Sequence, residues 1–103
     1  MNFTAAKLIA AERYLGKSIG EIIEEAKAEN GMSMHTLRAL MAASNYYVSV
    51  PMDLPPTESH VFHVLLGQAG EAIDKRGAAA CGEEVGKALG AFVRKHFASG
   101  EAA

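Results

Sequence analysis

The feature that most constrains this chain is the stretch Ser18 to Ser44, SIGEIIEEAKAENGMSMHTLRALMAAS, which reads as two helices joined by one corner. Ser18 followed three residues later by Glu21 is a capping box, in which hydroxyl and carboxylate each satisfy a free backbone amide. Behind it Ile19, Ile22, Ile23 and Ala26 fall at i, i+3, i+4 and i+7 and make one apolar face, with Glu24, Glu25 and Lys27 opposite. Asn30-Gly31 is the expected stop, since glycine accepts the left-handed conformation that closes a helix. Ser33 then caps a second helix whose stripe is Leu37, Leu40, Met41 and Ser44, with Met34 one turn earlier and Arg38 pointing away. A central helical hairpin of this kind needs other helices to cover it.

With 103 residues the chain suits a single helical domain over 1–103, with 98–103 expected as a disordered tail. Formal net charge is −2 with the two signs interspersed, so neither a basic nucleic-acid surface nor an acidic tail is evident. One cysteine, Cys81, cannot form an intrachain disulfide. With no recognisable leader the expected compartment is a reducing cytoplasm. The apolar runs fall well short of the ~20 residues that span a bilayer.

The remaining segments supply the cover. A first helix is expected from a cap near Thr4 to Gly16, with Ala5, Leu8, Ile9 and Leu15 apolar and Lys7, Glu12 and Arg13 facing water. Asn45 to Pro56, with prolines at 51, 55 and 56, reads as an extended connection in which Tyr46 to Val50 pair as a short strand. A helix begins at Thr57, with Glu58 in its first turn and Val61, Phe62, Leu65, Leu66 and Ala69 buried. Glu71 to Gly77 reads either as a separate turn or as its continuation. The last helix runs from about Ala79 to Ala98 on Val85, Leu89, Phe92, Val93 and Phe97, acidic at its start and basic at its end. The fold class is all-α, a small domain of four to five helices.

Few residues suggest chemistry. Met32 to Arg38 after Gly31 has the outline of a DNA-reading helix-turn-helix, but Lys27 occupies the position where the crossing helices need a small residue, and Glu21, Glu24, Glu25 and Glu29 would repel phosphate. His60 and His63 stand i, i+3, a spacing that two metal ligands can use, yet nothing brings His35, His96 or Cys81 to them. Two surface histidines are the simpler reading, and no structural metal is expected. Cys81 near a helix start could be activated by the helix dipole, or be a small buried apolar residue. There is no nucleophile motif, phosphate loop or carboxylate pair, so the expectation is a non-enzyme with no catalytic, cofactor or metal residues.

Gly82, Gly86 and Gly90 repeat every four residues beside Val93 and Phe97. Each glycine inside a helix costs about 1 kcal/mol relative to alanine, so the stripe implies a compensating close contact, in the domain's own core or with another subunit. Met32, Met34 and Met41 offer adaptable side chains at the hairpin corner. The expected partner-binding set is therefore Met32, Met34, Met41, Gly82, Gly86, Gly90, Val93 and Phe97, with the last helix mediating self-association and the methionines forming a partner groove.

Three segments carry a resemblance: Glu12-Arg13-Tyr14-Leu15-Gly16-Lys17, Ile19-Gly20-Glu21-Ile22-Ile23, and Met34-His35-Thr36-Leu37-Arg38-Ala39-Leu40-Met41-Ala42-Ala43. Together with a Thr57-Glu58-led helix closing at Ala69-Gly70 and an alanine-rich last helix, they resemble the tail assembly chaperones of long-tailed phages and gene transfer agents. The chain departs from that pattern in its proline-rich connection and its histidine-bearing fourth helix. The resemblance implies a non-catalytic homo-oligomer in the cytoplasm of a bacterial host. It would bind the tape measure protein during tail assembly, bring tail tube protein to it, and require no cofactor. The alternatives are a helix-turn-helix DNA-binding regulator, or a small phage protein that inhibits or adapts a host complex.

Overall fold

The structure, a computed structural model, describes residues 1–29, 31–46 and 60–97. Five helices follow one another: α1 (Ala5–Leu15), α2 (Ile19–Lys27), α3 (Met34–Ser44), α4 (His60–Arg76) and α5 (Ala78–His96). Among the described residues there is no strand, and the all-α class read from periodicity stands. Asn30, the prolines, the Thr57–Glu58 helix start and the tail 98–103 lie outside the described residues, as does most of the expected strand. Tyr46, its first residue, is buried and closes α3 instead, its N–H donating to the Ala43 carbonyl at 3.1 Å.

The caps fall where the sequence puts them. The Thr4 hydroxyl accepts from Lys7 N–H at 3.2 Å, and Gly16 closes α1 at φ 68. The Ser18–Glu21 box is reciprocal, with both bonds at 3.1 Å. The Ser33 hydroxyl caps α3 through Thr36 N–H at 3.1 Å. At the far end of α2 the expectation fails: the helix stops at Lys27 with Ala28 as an extended C-cap, three residues short of Gly31. Gly31 still takes φ 71, but inside the connection. Glu71 to Arg76 continue α4, and Gly77 at φ 90 turns the chain directly into α5.

Helix α3 is the axle of the fold. It packs most extensively on α4 and α1 and also touches α5, which in turn lies on α4. Eight of its residues are buried, from Thr36 through Ser44 with Arg38 excepted. Ala39, Ala42 and Ala43 keep it thin enough for neighbours on several sides. Phe62 of α4 enters fully buried, with Tyr46 edge-on at 5.2 Å and Tyr14 tilted at 5.1 Å between ring centroids. By contrast α2 makes only marginal helix–helix contacts and buries Ile22 alone. The hairpin is thus an axle with a lateral arm rather than two equal helices back to back.

Several expected core positions are corrected. Ile9 is 47% exposed and Ala5 is exposed; α1 packs through Leu8, Ala10 and Ala11, because small residues permit its close approach to α3. Val61 is 58% exposed, and the buried stripe of α4 is Phe62, Leu66, Ala69 and Ile73. In α5, Cys81, Val85 and Leu89 are buried while Phe97 is 55% exposed.

Candidate functional site

The corner between α2 and α3 is closed by a carboxylate that periodicity assigns to solvent. Glu25 reaches back so that its Oε1 accepts from Lys17 Nζ at 2.6 Å and from the Thr36 hydroxyl at 3.2 Å, while Oε2 accepts from Ser33 N–H at 2.7 Å. Ser33 Oγ donates to Thr36 Oγ1 at 3.1 Å. Burial pushes the Glu25 carboxyl up, but these hydrogen bonds and the Lys17 charge outweigh it and hold the group at about 2. On the other side of α2, Glu12 Oε2 accepts from Ile19 N–H at 2.6 Å, so this glutamate ties α1 to α2 rather than facing water. Two carboxylates thereby fix an arm that buries little apolar surface.

Fixing α2 there leaves an open groove between it and α5. One part, of about 330 Å³, is lined by Ile23, Ala26 and Lys27 on one wall and by Gly86, Leu89, Gly90, Val93 and Arg94 on the other. A second part, of about 310 Å³, shares Ala26 and runs past Met32, Met34 and Leu37 to Ala79 and Gly82. The apolar face of α2 is therefore divided: Ile22 enters the core, while Ile23 and Ala26 face the groove.

The glycine stripe forms the α5 wall. A Cβ placed on Gly82 or Gly86 would meet nothing within 4 Å, so among the described residues no helix makes a close approach at these two glycines. At Gly90 it would meet Arg94 Nη1 at 3.3 Å; the guanidinium folds back one turn into the room the glycine leaves. Of the expected partner-binding residues, Met32, Met34 and Gly82 line one part of the groove and Gly86, Gly90 and Val93 the other. The methionine corner and the glycine stripe are one surface, not two. Met41 is 5% exposed and belongs to the core, where Ser44 donates to its carbonyl. Phe97 lies apart, with Ile9 and Phe92 around a smaller hollow of about 160 Å³.

The other candidates are placed as follows. Cys81 is fully buried, its Sγ 3.8 Å from the Ala72 carbonyl, the position of a small apolar core residue. His60 and His63 are exposed, and among the described residues no three His, Cys, Asp or Glu side chains gather as a metal site would require. Residues 28–33 separate α2 from α3, longer than the three- or four-residue turn of a helix-turn-helix. Arg38 lies with its Cδ 3.9 Å from a Cβ placed on Gly70 of α4. Among the described residues no helix is long and apolar enough to cross a membrane.

These features define a small all-α domain with one helix held off its core by polar anchors, leaving an apolar trough. No family model, curated protein or solved structure matches the chain.

Proposed function

We propose that the protein is a non-catalytic module that receives an apolar helix of another protein in the groove between α2 and α5. The observation that carries this reading is the glycine wall: Gly82 and Gly86 have open space where a Cβ would stand. Helical glycines are costly, and an incoming helix that uses the close approach they permit offsets that cost. Helix-in-groove recognition needs an apolar trough with adaptable edges, and Met32 and Met34 at one end supply them.

Within this class the resemblance to tail assembly chaperones gives the particular reading: a cytoplasmic protein of a phage-bearing bacterium whose partner is the long helical tape measure protein. Tail tube protein is then a second partner. Association between copies would use the exposed Ile9 and Phe97, which lie away from the groove.

The test is calorimetric titration of the full chain with overlapping helical segments of a phage tape measure protein, repeated with Gly86→Leu. Binding by the parent and its loss in a variant that keeps its helical circular dichroism are expected. If tape measure segments fail while other amphipathic helices bind, the chaperone assignment is wrong and helix binding stands. If Gly86→Leu binds unchanged, the groove is not the site.

A further inference from the structure

We propose that the groove selects its helix by a carboxylate: the bound segment carries an Asp or Glu on its apolar face, received between Arg94 and Lys27. The inference rests on the helix-binding reading and adds to it the chemistry of the partner. The groove is apolar along most of its length, but two cations line its larger part, Lys27 on the α2 wall and Arg94 on the α5 wall. No acidic side chain lines that part. Among the described residues neither cation has an ion pair, although three other pairs form: Lys17–Glu25, Arg76–Glu84 and Lys87–Glu83.

Arg94 lies in the last turn of α5, where a cation suits the helix dipole. The guanidinium of this exposed side chain also reaches back over Gly90, 3.3 Å from where a Cβ would lie. The glycine thus does two things: it thins the wall and lets the guanidinium lie along the trough. A guanidinium presents a planar fork of donors that matches a carboxylate, and Lys27 supplies a second, mobile charge from the opposite wall. An apolar helix with no acid would dry both cations without pairing them, which is costly; one acid at the right turn satisfies both. The stretch from Ala79 to Val93 is about 21 Å of helix, room for about four turns of a partner, so the acid's place along the segment is also specified.

The test uses synthetic amphipathic helices of about 16 residues, identical except for one glutamate walked along the apolar face, each beside its glutamine counterpart. Their affinity for the full chain is measured by fluorescence anisotropy at low salt. At one register the glutamate peptide should bind about threefold to tenfold tighter than its glutamine twin, within the range for partly desolvated ion pairs. That preference should vanish in Arg94→Gln, shrink in Lys27→Gln, and shrink in Gly90→Ala, which displaces the guanidinium without altering charge. Added salt should reduce it. Equal binding of glutamate and glutamine peptides at every register, with Gly86→Leu still abolishing both, would overturn the carboxylate and leave helix binding intact. A preference that persists in Arg94→Gln would overturn the assignment to this arginine. If no peptide binds the parent chain, the groove reading falls, and this inference with it.

Discussion

Where α3 meets α1 and α4, the interior is filled by alanines and by rings that touch edge to face; where α5 faces α2, glycines line a trough in which, among the described residues, no side chain comes within 4 Å of a Cβ placed on Gly82 or Gly86. Both sides are built largely from small residues, yet they serve opposite ends. Ala10, Ala11, Ala39, Ala42 and Ala43 are buried because they bring helices of the same chain together. Gly82 and Gly86 leave space that nothing among the described residues uses. The difference lies in what restrains the second helix. On the filled side apolar contact sets the spacing between helices, whereas α2 is held by Glu12 and Glu25, whose hydrogen bonds set its distance without demanding contact along its length.

The largest effect should come from breaking the filled side. Phe62 is fully buried and touches the rings of Tyr14 and Tyr46, so Phe62→Ala should cost about 3–5 kcal/mol, a large part of the stability of a domain this size. Leu40→Ala and Ile22→Ala, both fully buried, should each cost about 2–5 kcal/mol in urea titrations. Leu37→Ala also removes a buried side chain, but one that borders the groove, and its cost should fall at the low end of that range. Gly86→Leu, which puts a good helix former into open space, should keep the urea midpoint or raise it slightly. A collapse of the fold in Gly86→Leu would show that the trough is closed in solution and erase the contrast.

The second effect concerns the polar anchors. Glu25 sits near 2 in the folded chain against an ordinary 4.5, so its contribution is complete above about pH 4.5 and is lost as pH falls toward 2. Lys17 is 36% exposed at the side chain, and water screens part of the pair. Glu25→Gln should therefore cost about 1–3 kcal/mol at neutral pH, less than the full linkage of the shift. The loss of stability between pH 4.5 and 2 should also flatten, as read from urea melts at a series of pH values. If Glu25→Gln leaves the acid limb unchanged, α2 is held by something other than this carboxylate. The groove would then owe its width to another cause.

The caps were legible because they are local: Thr4, Gly16, the Ser18–Glu21 box and Ser33 act within one turn, and the residue types that can do so are few. Period and local caps gave an all-α domain of four to five helices, and five stand among the described residues. What period could not give was which residue of an apolar stripe meets a neighbour, since Ile9 and Val61 look more hydrophobic than the alanines that actually permit close packing. Glu25 escaped for a related reason. Helical phase puts it at the polar edge of the apolar face, beside Ile22 rather than under a neighbouring helix, but its partners Ser33 and Thr36 lie beyond a bend that phase does not register. The glycine stripe was visible in the sequence, while the direction it faces depends on the position of α2, which two nonlocal hydrogen-bonded carboxylates determine.

The smallest effect sharpens the comparison most. On the filled side a change of one methyl group is felt at once: Ala43→Gly, at a fully buried position, loses both packing and helix propensity and should cost about 1–2 kcal/mol. On the open side the reverse change should help. Gly82→Ala and Gly86→Ala add a Cβ into free space on an α-helix and restrict the unfolded chain, so each should raise stability by about 0.4–1 kcal/mol. A natural sequence that leaves two such gains unused is accounted for if the glycines serve binding, because a Cβ in the trough holds an incoming helix farther from the wall. The decisive observation is thus a pair of signs on one variant: Gly86→Ala should melt higher than the parent and bind its helical partner more weakly. If it melts higher and binds equally well, the glycines are not there for the partner, and the open side is only a loosely packed edge of the fold.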